Sequence, residues 1–290
     1  MLPQSKTRSA DRPVLAPAEH RAWRALISRR CGLEFGDTRV RYLERRLWQR
    51  VQSLGLGSFG AYHDRLRQDS GEWRELLELL VNRESSFFRH RPSFEALGSL
   101  LRERLGKVPP SDRPHRLNLW SAGCSTGQEP YSLAIQALDE ALRQRVTLDL
   151  RVTGGDLSVE ARDRTREGLY AERQLDPLES GIRRRYFERV ATPRGPRYRV
   201  IEALRKVVEP RPWNATDPAT YPTTPQDVVF CQNLLIYLPR DERPVVVGRL
   251  GRTLRIGGTL FLAPGEVLGL RLPGLEPVRF PDCLAFRRTS

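Results

Sequence analysis

The chain has 290 residues, 39% hydrophobic and 29% charged, with a net charge of +14. That length and balance suit one large globular domain with a smaller companion and exclude a disordered chain. No apolar run reaches the roughly 18 residues of a membrane span, and Met1–Pro17 is polar and Pro-containing, so neither membrane insertion nor a secretory leader is expected and a cytoplasmic location follows.

The four cysteines, Cys31, Cys124, Cys231 and Cys283, lie far apart and only four histidines occur. Zinc and a disulfide framework are disfavoured, and no metal is expected. Almost all the positive charge is Arg, since Lys stands only at positions 6, 107 and 206. Such an excess points to acidic partners. No zinc finger, aromatic RNA-binding signature or other nucleic-acid module is visible, so nucleic acid is not the expected one.

In chain order, residues 18–30 show helical spacing, with Trp23, Leu26 and Ile27 on one side. A second helix is predicted over 37–54, where Val40, Leu43, Leu47 and Val51 share a stripe and Arg39, Arg41, Arg45, Arg46 and Arg50 occupy other faces. Gly55 and Gly57 end it, Ser58 caps a third helix over 59–68, and a fourth spans 72–80. Residues 17–82 therefore read as a helical N-terminal domain behind a flexible segment, 1–16. A connection, a helix over 94–105 and the Pro-rich breaker Pro109–Pro114 make a linker, 83–114.

From residue 115 onward, strands predicted at 116–121, 148–153, 226–232 and 258–263 alternate with helices at 129–144, 158–167 and 240–254. That rhythm gives a mainly parallel sheet with helices on both faces. Residues 183–212 depart from it and read as an antiparallel insertion, with short strands at Tyr198–Ile201 and Lys206–Glu209.

The stretch from Leu119 to Ser132 (Leu-Trp-Ser-Ala-Gly-Cys-Ser-Thr-Gly-Gln-Glu-Pro-Tyr-Ser) runs from an apolar strand through a glycine turn into a helix. Gly123 and Gly127 let the backbone approach a ligand and take positive φ, at the strand end where open α/β sheets bind ligands. No Lys follows the second glycine, which disfavours a phosphate-gripping P-loop. Glu129 follows instead, and an acid suits a cationic ligand head. Asp156, ending the second strand, suits the two hydroxyls of a ribose. A glycine turn with a ribose acid fits both a dinucleotide and S-adenosylmethionine, and the Gly-x3-Gly spacing favours the latter.

Five blocks in order together resemble the chemotaxis receptor methyltransferase family of the CheR type. They are Arg83–Arg89 (Arg-Glu-Ser-Ser-Phe-Phe-Arg), the loop Ser121–Ser132, Gly155–Ser158 (Gly-Asp-Leu-Ser), Phe230–Tyr237 (Phe-Cys-Gln-Asn-Leu-Leu-Ile-Tyr) and Gly257–Leu262 (Gly-Gly-Thr-Leu-Phe-Leu). The resemblance implies an α/β fold: a Rossmann-like S-adenosylmethionine-dependent methyltransferase domain over 115–290, carrying a small antiparallel β-subdomain and preceded by an all-α domain. It implies a protein-glutamate O-methyltransferase that esterifies chemoreceptor glutamates for adaptation and leaves S-adenosylhomocysteine. Carried over, Ala122 and Gly123 face the methionine part of the cofactor, Glu129 its amino group, Asp156 the ribose and Asn214 the adenine. Asn233, Leu234 and Ser85 complete the cofactor side, and Arg89 and Tyr237 are the active-site candidates. The basic second helix would meet the receptor's helical bundle, first through Arg46 and Arg50, then Arg39 and Arg45.

Departures from the family pattern are specific. Arg83-Glu84-Ser85 replaces Asn-Glu-Thr, Gln128 replaces a Glu, Gln232 replaces an Arg, and Ala263-Pro264-Gly265-Glu266 replaces Gly-His-Ser-Glu. They keep open the alternative of a receptor-interaction module that binds cofactor but is catalytically weak or silent. Glu188–Arg197 lacks the Gly-x-Gly turn that some members use to dock a receptor's C-terminal peptide, so no such tether is expected, and the chain is expected to be a monomer.

Overall fold

Among the described residues, four helices make up the first of two units, Met1–Val81: α1 (Pro17–Cys31), α2 (Val40–Ser53), α3 (Phe59–Gln68) and α4 (Ser70–Leu80). The computed structural model describes residues 14–81, 83–108, 113–193, 195–266 and 272–290. The expected N-terminal segment and the Pro109–Pro114 breaker fall largely outside them. Pro17 sits in the first turn of α1, where a missing N–H is harmless, and Gly32 closes that helix at φ 74°. Ser58 accepts the Ala61 N–H at 3.1 Å and Asp69 the Gly71 N–H at 2.8 Å, which starts α3 and α4.

The predicted stripe of α2 is the core face. Leu43, Leu47 and Val51 are fully buried there, beside Trp23, Ile27, Tyr62 and Leu76. Into this core α4 sends Glu72, only 5% exposed. Its carboxylate accepts Arg50 Nε at 2.7 Å, Arg50 Nη2 at 2.6 Å and the Tyr62 hydroxyl at 2.7 Å. Arg50, expected on the receptor face, thus has its guanidinium committed to a bidentate ion pair within the helical unit.

The second unit, Asn82–Ser290, opens with α5 (Arg91–Leu105) and continues as β1 (His115–Ala122), α6 (Gln128–Gln144), β2 (Leu148–Asp156) and α7 (Val159–Glu167). Next come β3 (Leu169–Tyr170), α8 (Ser180–Tyr186), β4 (Phe187–Thr192), β5 (Gly195–Val200), α9 (Glu202–Val207) and β6 (Val208–Pro212). The chain ends with β7 (Gln226–Cys231), α10 (Glu242–Thr253), β8 (Leu254–Leu262), β9 (Leu275–Phe280) and β10 (Cys283–Arg288). The main sheet runs β6-β2-β1-β7-β8-β10-β9. Its first five strands are parallel, and the β9/β10 hairpin, which the strand pattern did not announce, adds antiparallel.

Side chains alternate across each strand, so β1 feeds two cores. Leu117 and Leu119 pack with Leu97 and Leu101 of α5 and Leu133 and Ala137 of α6. Trp120 and Ala122 face Val246, Val247 and Leu250 of α10. Among the described residues no helix is long and apolar enough to cross a membrane.

The second sheet, β3-β5-β4, is antiparallel and lies between α7 and α9. It spans Leu169–Val200, not the 183–212 expected. Lys206–Glu209 does not belong to it, because residues through Val207 are helical and Val208 starts a strand parallel to β2. Pro210 and Pro212 explain the difference: without an N–H they cannot serve an interior strand, but they are tolerated on an edge, which is where β6 lies.

Candidate functional site

β1 has β2 on one side and β7 on the other. Crossovers leave it in opposite directions, which opens a crevice at the carboxyl ends of these strands. There Ala122 pairs with Gly155, and Ser121 with Gly154 and Phe230. The Gly123 N–H donates to Gly155 O at 2.8 Å, and φ at Gly123 is 90°. A Cβ on Gly123 would come 2.5 Å from Leu234 Cδ1. The loops after β1 and β7 can therefore touch only because this residue is glycine. Gly127, at φ 95°, turns the chain into α6.

Glu129 lies in the first turn of α6 and accepts the Ser121 hydroxyl at 2.7 Å. It keeps a little solvent-accessible surface, but protein crowds its carboxylate. Burial pushes it up to about 7, opposed by the Ser121 bond and the charge of Arg89, and reinforced by Glu266. Among the described residues no Lys or Arg forms an ion pair with it. An acid desolvated without a counterion is poised to receive a cation.

Asp156 is held by its neighbours' backbone: Oδ2 accepts the Ser125 N–H at 2.8 Å and Oδ1 the Ser158 N–H at 2.9 Å. The Trp213 N–H donates to Asp156 O at 3.1 Å, which brings the next residue, Asn214, beside β2. Asn214 Oδ1 accepts both the N–H and the hydroxyl of Thr216, at 3.1 and 3.0 Å. Half of its amide is thus used in its own turn, leaving the NH2 group to meet a ligand. Past β7, Asn233 takes φ 58°, Leu234 covers Gly123, and the 3-10 turn Leu235–Tyr237 holds Tyr237 half-buried.

The segment Arg83–Arg89 is fastened to α6 and the glycine loop. Phe88 N–H donates to the Ser132 hydroxyl at 3.0 Å, the Ser125 hydroxyl to Arg83 O at 3.3 Å, and Arg83 pairs with Glu160 at 2.7 Å. Phe87 is buried edge-on against Tyr170 and Phe187. Ser85 lies half-buried within the segment. Arg89 is largely exposed, donates to Glu84 O at 2.9 Å, and stands close enough for its charge to act on Glu129. Phe88, Ser125 and Asn233 all have positive φ. Such strain gathers at sites whose surroundings over-determine the backbone.

The structure therefore brings Ala122, Gly123, Glu129, Asp156, Asn233 and Leu234 together, with Arg89 near Glu129 and Asn214 beside Asp156. Arg39, Arg45 and Arg46 belong to the helical unit. Arg45 is exposed, whereas Arg46 lies 5.1 Å over the Tyr42 ring and donates to Gln49. The departures at Gln128 and Gln232 have structural partners: Gln128 Oε1 accepts the Thr126 hydroxyl at 2.8 Å, and Gln232 Nε2 donates to the Ser93 hydroxyl at 2.7 Å. Sequence reasoning assigned no role to Ser121 or to Glu266. The latter is 3% exposed and its carboxyl is raised by burial. Its signal was the one acid retained in the altered block Ala263–Glu266.

Residues 83–277 match the SAM binding domain of CheR methyltransferase, and residues 18–81 match its all-alpha domain. The chain belongs to the CheR methyltransferase family. It is 35% identical over 266 residues to the probable biofilm formation methyltransferase WspC of Pseudomonas aeruginosa, covering 91% of this chain and 61% of that relative. Chemotaxis protein methyltransferase 2 of the same organism is 30% identical, with 84% of each chain covered. The chemotaxis protein methyltransferase of Escherichia coli is 30% identical, with 88% and 86% covered. This CheR methyltransferase chain thus spans about three fifths of the length of WspC and most of the length of the other two.

The cofactor of this CheR domain is S-adenosylmethionine, and the crevice fits it. Glu129 lacks a counterion for which an α-ammonium would serve, Gly123 leaves room that a Cβ would fill, and Asp156 presents a carboxylate held in place by two N–H groups.

Proposed function

We propose that this chain methylates glutamate side chains on the cytoplasmic helical bundle of a chemoreceptor-type protein, giving glutamate methyl esters. The observation that carries the reading is Glu129, a desolvated acid without a cation, set between a glycine loop and Asp156 at the carboxyl ends of β1 and β2. In this reading Glu129 holds the cofactor's ammonium, Asp156 its ribose, Asn214 its adenine, and Ala122, Gly123, Asn233, Leu234 and Ser85 line its path. When bound, S-adenosylmethionine supplies a methyl group on a sulfonium, and that positive charge disappears as the carbon–sulfur bond breaks and the ester bond forms.

A glutamate side chain, with an ordinary pKa of about 4.3, already carries the negative charge it needs. No general base is required, and the chain's residues have to align groups and exclude water. Orientation of this kind is worth roughly 7–11 kcal/mol. Arg89, exposed yet close to Glu129, orients the incoming carboxylate, and Tyr237 lines the opposite wall. Arg89 serves as a guide and not a trap, since equal binding of ground and transition states adds nothing to turnover. Arg39, Arg45 and Arg46 meet the acidic receptor bundle, with the chain acting as a monomer and without a C-terminal peptide tether.

Calorimetric titration with S-adenosylhomocysteine tests the cofactor half. A Kd at or below about 10 μM, roughly 7 kcal/mol, that is abolished in Asp156→Ala is the expected result. Labelled cofactor and a receptor cytoplasmic fragment test the other half, through alkali-labile methyl ester. Cofactor binding without any ester would refute glutamate methylation.

A further inference from the structure

Glu266 lies just beyond β8, which ends at Leu262, and its carboxylate reaches back to the loop that follows β7. Oε1 accepts the Ile236 N–H at 3.4 Å and Oε2 the Ala263 N–H at 3.2 Å. The neighbouring backbone of Asn233 and Leu235 also favours its charged form. Both hydrogen-bond partners are N–H donors, so each carboxyl oxygen serves as an acceptor, a demand that a carboxylate meets in full and an amide only in half. The residue is 3% exposed and among the described residues has no ion-pair partner, and a buried acid in that setting would be unfavourable without these N–H groups.

What the carboxylate grips is specific. Asn233 is at φ 58°, a conformation that costs energy unless surroundings impose it, and Leu234 next to it fits against Gly123. Tyr237 closes the same 3-10 turn, its N–H bonded to Leu234 O at 3.0 Å. We propose that Glu266 is a positioning residue for methyl transfer: its carboxylate staples the loop Asn233–Tyr237 to the end of β8 and thereby fixes Asn233, Leu234 and Tyr237 around the cofactor. This inference rests on the methyltransferase reading above.

Glu266→Gln keeps the volume and turns an NH2 group toward backbone donors, and Glu266→Asp keeps the charge on a shorter arm. Hydrogen exchange on the full chain reads the loop directly. In Glu266→Gln the amides of Ile236 and Ala263 should exchange at least about tenfold faster, as expected when a buried acceptor is lost. Amides of β7 and β8 should keep their wild-type rates, with Glu266→Asp intermediate. Affinity for S-adenosylhomocysteine should fall about tenfold in Glu266→Gln by the same reasoning. Because a neighbouring negative charge is removed, the acid limb of binding set by Glu129 should also move to lower pH.

Unchanged exchange at these two amides would overturn the staple, as would a uniform rise across β7 and β8, which marks general destabilisation. Faster loop exchange with wild-type affinity and turnover would overturn the positioning role. If the wild-type chain binds no S-adenosylhomocysteine, the methyltransferase reading fails and the positioning role fails with it. The exchange data would still show, separately, whether the staple itself exists.

Discussion

In the helical unit Glu72 is enclosed by Arg50 and Tyr62, whereas in the α/β unit Glu129 meets, among the described residues, only the Ser121 hydroxyl. Both acids are withdrawn from water, yet one is complete within its own fold and the other is not. A carboxylate that the chain itself neutralises holds helices together. A carboxylate left desolvated, beside glycines whose missing Cβ atoms make room, reserves its interaction for something that arrives from outside. On the proposed reading, the contrast is one between a structural charge and a ligand charge.

The sharpest way to break the comparison is to remove the counterion on the complete side. Arg50→Ala leaves Glu72 buried and unpaired, and should lower stability by about 3–5 kcal/mol in urea unfolding of the full chain. Glu129→Gln should do the reverse: the urea midpoint holds or rises, while S-adenosylhomocysteine binds about 10- to 100-fold more weakly, or roughly 1.4–2.8 kcal/mol. A loss of stability in Glu129→Gln equal to that of Arg50→Ala would erase the distinction.

The pH dependence sharpens it further. The Glu129 carboxyl, at about 7 when folded, lies above its usual 4.5. The folded chain therefore holds more protons than the unfolded one between these values, so stability from this group falls as pH rises through that window and is lowest above it. Ligand binding has the opposite slope, because the ammonium needs the carboxylate: affinity should strengthen from about pH 6 to about pH 8. Glu129→Gln should flatten both curves, and an unaltered binding profile would remove Glu129 from the ammonium site. The smallest effect is expected at exposed Arg45. Arg45→Ala should change stability by less than about 0.5 kcal/mol and leave cofactor affinity alone, while slowing ester formation on a receptor fragment.

Elements whose period is local were readable. The α2 stripe of Leu43, Leu47 and Val51 needs only its own sequence to announce a buried face, and the β1–α6 turn needs only its glycines. Arg50 shows where such reading stops: its place off the apolar stripe looked like solvent, but Glu72, 22 residues away, draws it inward. The β-branched pair Val207–Val208 straddles a helix end and a strand start, and only the docking of Val208 beside Val152 decides the boundary. Glu266 was hidden for a similar reason, since one of its donors, Ile236, lies in a loop 30 residues upstream.

The inserted β3-β5-β4 sheet enters and leaves the larger unit at a single neck, where the Val200 N–H bonds to Gly168 O at 2.9 Å. With its ends pinned together, chain added or removed at the far hairpin alters closure entropy only logarithmically and does not stretch the parent sheet. The insert is nonetheless coupled to the crevice at its other end: the Tyr170 hydroxyl donates to Thr126 O at 2.8 Å, so the β3 end of the sheet props the glycine loop from below.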